Sequence, residues 1–172
     1  DAAGILELEA EPGAALPGCR PDSIIEIDNK SITHRPDLWG HHGMAREVAA
    51  IAGGLLRDPV RLERLPEGDA PISVEVENPD LCPRYSALAF ENVTVAPSPL
   101  WLQHRLMSIG LNPINNIVDV TNYVMAELAQ PMHAFDWDLV GGSAIIVRNA
   151  RPGERIVALN EQEYALDARD LV

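Results

Sequence analysis

Positively charged residues are scarce in this 172-residue chain. It has 13 Lys and Arg residues against 26 Asp and Glu residues, its formal net charge is −13, and Lys30 is its only lysine. Proteins that hold nucleic-acid backbones over a large surface need clustered Lys and Arg. The composition therefore excludes an extended phosphate-binding surface, and any nucleic-acid contact must be local or made by other parts of a larger protein.

Cysteines and long apolar runs are also nearly absent. Cys19 and Cys82 are the only cysteines, and neither has metal-ligand spacing to a His or a second Cys, so we expect ordinary thiols in a reducing cytoplasm. No apolar run approaches the roughly 18 to 20 residues that span a bilayer. The chain begins without Met and without the basic region of a signal peptide, so we expect a piece of a longer cytoplasmic protein.

Several catalytic and metal-binding patterns are missing as well. The sequence has no HExxH, CxxC, Walker or Ser-His-Asp pattern. His41 and His42 are adjacent, and neighbouring side chains on a helix point apart, so we expect no metal site there. A metal-dependent hydrolase would need a ligand cluster that this sequence does not offer.

Hydrophobic patterning predicts strands and helices without a regular βαβ alternation, and therefore an α+β fold. We expect strands at residues 4–10, 23–27, 72–77, 84–95, 144–147, 155–159 and 163–166, a loop at 11–22, and the opening of a further strand at 171–172. One helix is expected at 40–52, with Met44, Val48 and Ile51 on one face. A second begins at Ser98-Pro99, with an inner face of Leu100, His104, Met107 and Leu111. We place two small units at 1–66 and 67–172, joined by a charged linker within 55–70.

The most informative stretch is residues 112–136, NPINNIVDVTNYVMAELAQPMHAFD. It predicts a helix whose apolar stripe is Ile117, Val120, Thr121, Val124 and Leu128. Asn115 and Asn116 are candidate N-caps, and Pro131 ends the helix near Gln130. Asp119 and Asn122 are poor helix-interior residues, which indicates either a buried network or a site.

Two segments of the chain resemble known regions of one protein family. Residues 118–136 (VDVTNYVMAELAQPMHAFD) closely resemble the hallmark of the B3/B4 region in the β subunits of bacterial phenylalanyl-tRNA synthetases. Residues 26–51 (EIDNKSITHRPDLWGHHGMAREVAAI) resemble the B1 region, which precedes B3/B4 in that family. The resemblance covers most of the chain. It implies the end of a B1-like scaffold segment followed by the first part of a B3/B4-like editing domain.

The resemblance also implies a function. In the family, an (αβ)2 complex of α and β subunits attaches phenylalanine to tRNA(Phe) with ATP and Mg²⁺. That chemistry lies on the α subunit, so the resemblance implies no cofactor in this segment. The B3/B4 region hydrolyses mischarged Tyr-tRNA(Phe). A second site of this kind is needed because a pocket of fixed shape rejects an added hydroxyl only weakly.

Four residues are carried over as candidates for the wall of the editing pocket: His133, Asn112, Gln130 and Met132. An imidazole at His133 could orient the attacking water or hold the terminal ribose. The chain departs from the family at Asn112, where many members carry an arginine, so that arginine's contacts do not carry over. The groups that read the phenol lie beyond Val172 in the family, so we expect this chain alone to be inactive.

A plainer interpretation stands beside this one. A lone histidine at a helix end is commonly a structural hydrogen-bonding residue, and the segment could be a non-catalytic scaffold or interaction module with the same fold. We expect Arg35 and Asp37 to form a buried pair that fixes their loop against the following helix. Asp119 and Asn122 are expected to be structural, and Asp136 to cap the segment after it.

Overall fold

The computed structural model describes residues 13–14, 23–68 and 71–172. They form two compact units, each assembled from separate stretches of the chain. The first comprises the described residues up to Arg61 with Thr94–Ala134, and the second comprises Leu62–Val93 with Phe135–Val172. The strand expected at 4–10, most of the loop at 11–22 and Cys19 lie outside the described residues. The division expected between residues 66 and 67 refers to the two family regions and stays a prediction.

The first unit is helical. Its α-helices are α1 (His41–Ala52), α2 (Leu100–Ser108) and α3 (Asn116–Leu128), preceded by 3-10 turns at Lys30–Ile32 and Pro36–Trp39. α1 ends where the sequence predicted, because Gly53 adopts a left-handed conformation (φ 70°) and its N–H donates to the Ala49 carbonyl. Among the described residues, no helix has the length and apolar character to cross a membrane.

The faces that these helices bury are decided by their neighbours. On α1 the buried residue is Gly43, whereas Val48 and Ile51 are 57% and 82% exposed. A Cβ on Gly43 would lie 1.9 Å from the Asp37 carbonyl oxygen, so α1 packs against the preceding turn through its backbone. Met44, Val48 and Ile51 share one face of the helix as predicted, but the closest packing contact of α1 is made elsewhere, by its main chain at Gly43.

The phase of α2 differs from that expected. Leu102 and Leu106, one helical turn apart, are buried against α3. Met107, which was expected on the inner face, is 44% exposed. The expected set of Leu100, His104, Met107 and Leu111 follows the same period but is rotated about the axis. Periodicity gives a helix its spacing, and the position of the neighbouring helix selects which stripe is covered.

The second unit contains two small sheets. β1 (Ser73–Val76) pairs in parallel with β2 (Ala144–Val147), in the register Ser73 to Ala144. β3 (Arg155–Val157) and β4 (Glu163–Ala165) form an antiparallel hairpin whose turn includes Glu161 at φ 63°. Four strands predicted from the sequence are thus confirmed, as is the α+β class. Leu171 forms an isolated antiparallel bridge with Asn149 where a further strand was expected.

Two of the predicted strands are not formed in the part of the chain that the structure describes. Residues 23–27 and 84–95 have no strand partner in the described part of the chain. The second stretch is interrupted at Asn92, which has a left-handed backbone (φ 57°) that an extended ladder does not accommodate. Strand propensity alone was a misleading signal here, because a strand exists only where a second segment supplies its hydrogen bonds.

Candidate functional site

The N-terminal end of α3 is anchored by a buried carboxylate. Asp119 is fully buried, and its Oδ2 accepts from the Ser98 hydroxyl at 2.5 Å while its Oδ1 accepts from the Ile114 backbone N–H at 2.8 Å. Ser98 is itself buried, and its carbonyl accepts from the Gln103 side-chain amide at 2.6 Å. Asp119 therefore joins α3 to the segments before α2 and before α3, which is the buried network that its place inside a helix indicated.

Two asparagines complete this anchor. Asn115 is the N-cap: its side-chain oxygen accepts from the backbone N–H groups of Ile117 and Val118, each at 3.0 Å. Asn116 holds the neighbouring segment instead. Its side chain accepts from the Ala96 N–H at 3.0 Å and donates to the Thr94 carbonyl at 2.9 Å, and its own N–H donates to the Ala96 carbonyl. The predicted start of the helix is confirmed, and the two candidate caps have different tasks.

The C-terminal end of α3 is held by the start of α1. The Ala126 carbonyl accepts a hydrogen bond from His41 Nδ1 at 2.9 Å, which fixes the proton on that nitrogen because a carbonyl can only accept. A Cβ on Gly40 would lie 2.5 Å from the Ala129 nitrogen, so the two backbones are in close contact. Ala129 then ends the helix in a left-handed conformation (φ 57°), just before Gln130.

Gln130, Met132 and His133 follow directly on the segment that leaves α3, and all three are exposed. Further along, Asp136 caps the 3-10 turn Trp137–Leu139 by accepting from the Asp138 N–H, as its position in the sequence predicted. An exposed imidazole can exchange protons with a bound molecule, which is what a general base or a water-orienting group requires. The assignment of these residues to a pocket stays a prediction.

Asn112, the fourth candidate, precedes the other end of the same helix and is exposed. α3 has 13 residues, so it is about 20 Å long at 1.5 Å per residue. The segment with Asn112 and the segment with His133 thus start from opposite ends of one helix. The points at which these two segments join α3 are therefore about one helix length apart.

The expected pair between Arg35 and Asp37 is formed and is bidentate. Arg35 Nε and Nη2 donate to the two Asp37 carboxylate oxygens at 2.9 and 2.8 Å, and Nη2 also donates to Glu47 of α1 at 3.3 Å. These bonds hold the pKa of Asp37 below its ordinary value and raise that of Arg35. The side chains are 38% and 30% exposed, so the pair joins the loop to the helix as expected but is not buried.

Asn122 and Tyr123 lie on α3 between its two ends, and both are half-buried. Tyr123 packs edge-on against Trp101 with ring centroids 5.7 Å apart. Burial, and then the charge of Glu127, raises the pKa of the Tyr123 hydroxyl. Within the described part of the chain the Asn122 side chain makes no hydrogen bond, so the network expected around it centres on Asp119 instead.

Sequence reasoning missed a shallow, open pocket in the first unit. It has a volume of about 220 Å³ and is lined by His41, His42, Ala45, Arg57, Pro59 and Glu127. None of the four candidate editing residues lines it. The adjacent histidines were its only signal in the sequence. No group of three or more His, Cys, Asp or Glu among the described residues could hold a metal ion.

Comparison with known proteins places this chain in a family. Residues 81–172 match the B3/4 domain. The chain is 69% identical over 98% of its length to the phenylalanine–tRNA ligase beta subunit of Solibacter usitatus. It is 44% identical over 98% of its length to that of Carboxydothermus hydrogenoformans, and 43% identical over its full length to that of Anaeromyxobacter dehalogenans. It spans 22%, 23% and 22% of these relatives, respectively.

The expected resemblance to the beta subunits and to their B3/B4 region is therefore confirmed. The match to the B3/4 domain includes α2, α3 and the segment with His133. The similarity to the beta subunits also covers residues 26–51, whose assignment to the B1 region stays a prediction. The chain belongs to the B3/4 domain family, and it corresponds to about one-fifth of a phenylalanine–tRNA ligase beta subunit.

Proposed function

We propose that this chain forms part of the region in which a phenylalanine–tRNA ligase beta subunit hydrolyses Tyr-tRNA(Phe). The observation that carries the proposal is the position of His133. Its exposed imidazole stands on the segment that leaves α3, inside the residues that match the B3/4 domain. That segment begins at the C-terminal end of α3, which contacts with Gly40 and His41 hold in place. The chain that leads to His133 therefore starts from a rigid helix.

The chemistry proposed for His133 needs only an accessible imidazole. Ester hydrolysis requires a water molecule aligned with the carbonyl carbon, and imidazole can accept a proton from that water or hold the ribose hydroxyls beside it. Gln130 adds an amide that both donates and accepts, and Met132 adds an adaptable apolar surface. We propose that the groups that read the tyrosine phenol come from other parts of the beta subunit, and that this chain alone is inactive.

The proposal extends to the complete protein. The full-length subunit would work with an α subunit in an (αβ)2 complex in the cytoplasm, attaching phenylalanine to tRNA(Phe). ATP and Mg²⁺ would bind on the α subunit, where the aminoacylation chemistry is proposed to lie. Because the formal net charge of this chain is −13, we propose that other regions of the complex supply most contacts to the tRNA backbone.

A second candidate function is a scaffold with no hydrolytic role. It is favoured by the exposure of the four candidate residues, none of which lines the pocket found beside His41 among the described residues. In this case His133 would contribute only to local structure. The two candidate functions make opposite predictions for the effect of His133→Ala on the deacylation of Tyr-tRNA(Phe).

The test is deacylation of Tyr-tRNA(Phe) by the full-length αβ enzyme, with His133 intact and with His133→Ala. The matched control is His34→Ala, because His34 is also exposed but lies outside the B3/4 match. We expect His133→Ala to lose roughly tenfold or more in rate, which is about 1.4 kcal/mol in the barrier, and the control to behave as wild type. Equal rates for wild type and His133→Ala would show that the site assignment is wrong. A wild-type enzyme without deacylation activity would favour the scaffold.

A further inference from the structure

The shallow pocket in the first unit is lined by charged groups of both signs. The chain that follows α1 contributes Arg57 and Pro59, α3 contributes Glu127, and α1 contributes His41, His42 and Ala45. All of these residues belong to the first unit. The pocket therefore brings a guanidinium and a carboxylate from distant parts of the sequence to one small space.

The Arg57 side chain is available to a ligand. It is exposed, and no other residue in the described part of the chain forms an ion pair or a hydrogen bond with it. Arg35 and Arg148 differ, since each of them donates to a carboxylate. A guanidinium presents its N–H donors in a planar fork that matches the two oxygens of a carboxylate. Arg57 therefore suits a ligand that carries a carboxylate.

His41 and Glu127 offer hydrogen-bond acceptors instead. The proton of the His41 imidazole lies on Nδ1, which donates to the Ala126 carbonyl at 2.9 Å. In the neutral imidazole the second nitrogen, Nε2, is then an acceptor. The half-buried Glu127 adds a carboxylate, which can only accept when it is ionised. Together these groups suit a ligand with several N–H donors on one atom, such as a primary ammonium.

We propose that this pocket binds a free α-amino acid, with the carboxylate on Arg57 and the ammonium on Glu127 and His41 Nε2. A simple anion such as phosphate would be repelled by Glu127, and a simple cation would be repelled by Arg57, whereas a zwitterion pairs with both. The pocket volume of about 220 Å³ is smaller than the roughly 300 to 1,000 Å³ of pockets for drug-sized ligands. Ala45 and Pro59 are small and the pocket is open, so it recognises the zwitterionic group rather than the side chain of the amino acid.

The inference goes beyond the proposed function, because none of the candidate editing residues lines this pocket. The test is saturation-transfer difference NMR on the full-length αβ enzyme, which detects weak ligands of large complexes. The probe is L-alanine, whose methyl group gives the signal. Alaninamide lacks the carboxylate, and N-acetylalanine lacks the ammonium. We expect the L-alanine signal to exceed that of either analogue by roughly fivefold, the effect of one partly exposed ion pair.

Substitutions assign the signal to this pocket. Arg57→Ala should lower the L-alanine signal by roughly fivefold, whereas any L-alanine bound to the α subunit is unaffected by this change. The matched control is Arg61→Ala, because Arg61 is also exposed on the segment after α1 but does not line the pocket. Glu127→Gln should weaken the L-alanine signal and strengthen that of N-acetylalanine, because it removes the charge that repels an anion. Aminoacylation by the same preparations shows that each variant is assembled.

Each outcome decides the matter. An L-alanine signal that needs Arg57 and both charged groups of the ligand supports the inference. Equal signals from wild type and Arg57→Ala overturn it, as does a wild-type enzyme that gives no signal. N-acetylalanine that binds as well as L-alanine would show a site for anions and would also overturn it. Because no measurement uses Tyr-tRNA(Phe), failure of this inference and failure of the proposed function are separate results.

Discussion

Replacement of Gly43 by alanine should destabilise the first unit, although alanine is normally the better residue in a helix. Gly43 lies in the first turn of α1 and is buried against the turn Pro36–Trp39. An added Cβ would stand 1.9 Å from the Asp37 carbonyl oxygen and 2.5 Å from its carbonyl carbon. These are main-chain atoms, which cannot rotate away as a flexible side chain could.

The magnitude follows from two opposing effects. Gly→Ala inside a helix gains about 1 kcal/mol through propensity. Overpacking costs about 1 to 3 kcal/mol and occasionally more, and an overlap with backbone belongs at the upper end of this range. We therefore expect a net loss of about 2 kcal/mol in the free energy of unfolding, because the overlap outweighs the propensity. For a chain of this length, that loss lowers Tm by about 4 to 8 °C.

Thermal unfolding followed by far-UV circular dichroism measures this change. The matched control is Gly54→Ala, because a Cβ there would meet Ala49 only at 3.7 Å, an ordinary contact. The control should stay within about 0.5 kcal/mol of wild type, as surface substitutions usually do. A Gly43→Ala protein as stable as wild type, or more stable, would refute the backbone contact between α1 and the turn.

Two further predictions concern other parts of the chain. Glu154 accepts two hydrogen bonds from the Arg148 guanidinium and one from the Arg151 N–H, and its pKa falls from 4.5 to about 2. A lowered pKa stabilises the fold above pH 4.5, and this contribution disappears between about pH 4.5 and 2. Glu154→Gln should therefore weaken the pH dependence of Tm in that window, and an unchanged acid profile would contradict the pairing. Ala129→Gly should stabilise the chain by about 1 kcal/mol in urea unfolding, because glycine adopts the left-handed cap without strain; a loss of stability would count against this backbone conformation.

The ends of α3 illustrate what local sequence specifies. Asn115 is a short polar residue just before a run of apolar residues at helical spacing, and Pro131 cannot continue a helix. Both ends of α3 are therefore specified by residues that lie within a few positions of them. The hairpin of β3 and β4 was predictable for the same reason, since both strands and their turn are contiguous. Asp119 was recognisable as unusual, but its partners Ser98 and Ile114 were not.

The exposure of His133 depended on the fold, whereas the helix that separates its segment from that of Asn112 was predictable from the sequence. Both residues belong to one short sequence segment, yet a helix of about 20 Å stands between the points from which their loops begin. The pocket beside His41 and Arg57 likewise joins residues that are distant in sequence. No local pattern specifies which side chains meet in this way.

The sequence alone determined the family resemblance, the α+β class, and the limits of α1 and α3, because each of these depends on residue types within a short window. Tertiary structure decided which helix faces are buried, which predicted strands find a partner, and what Asp119 holds. These features depend on contacts between distant segments, such as the close approach of the Gly40 backbone to residues 127–129. Such contacts are set by the packing of the whole unit, and a periodic pattern carries no information about the neighbour it will meet.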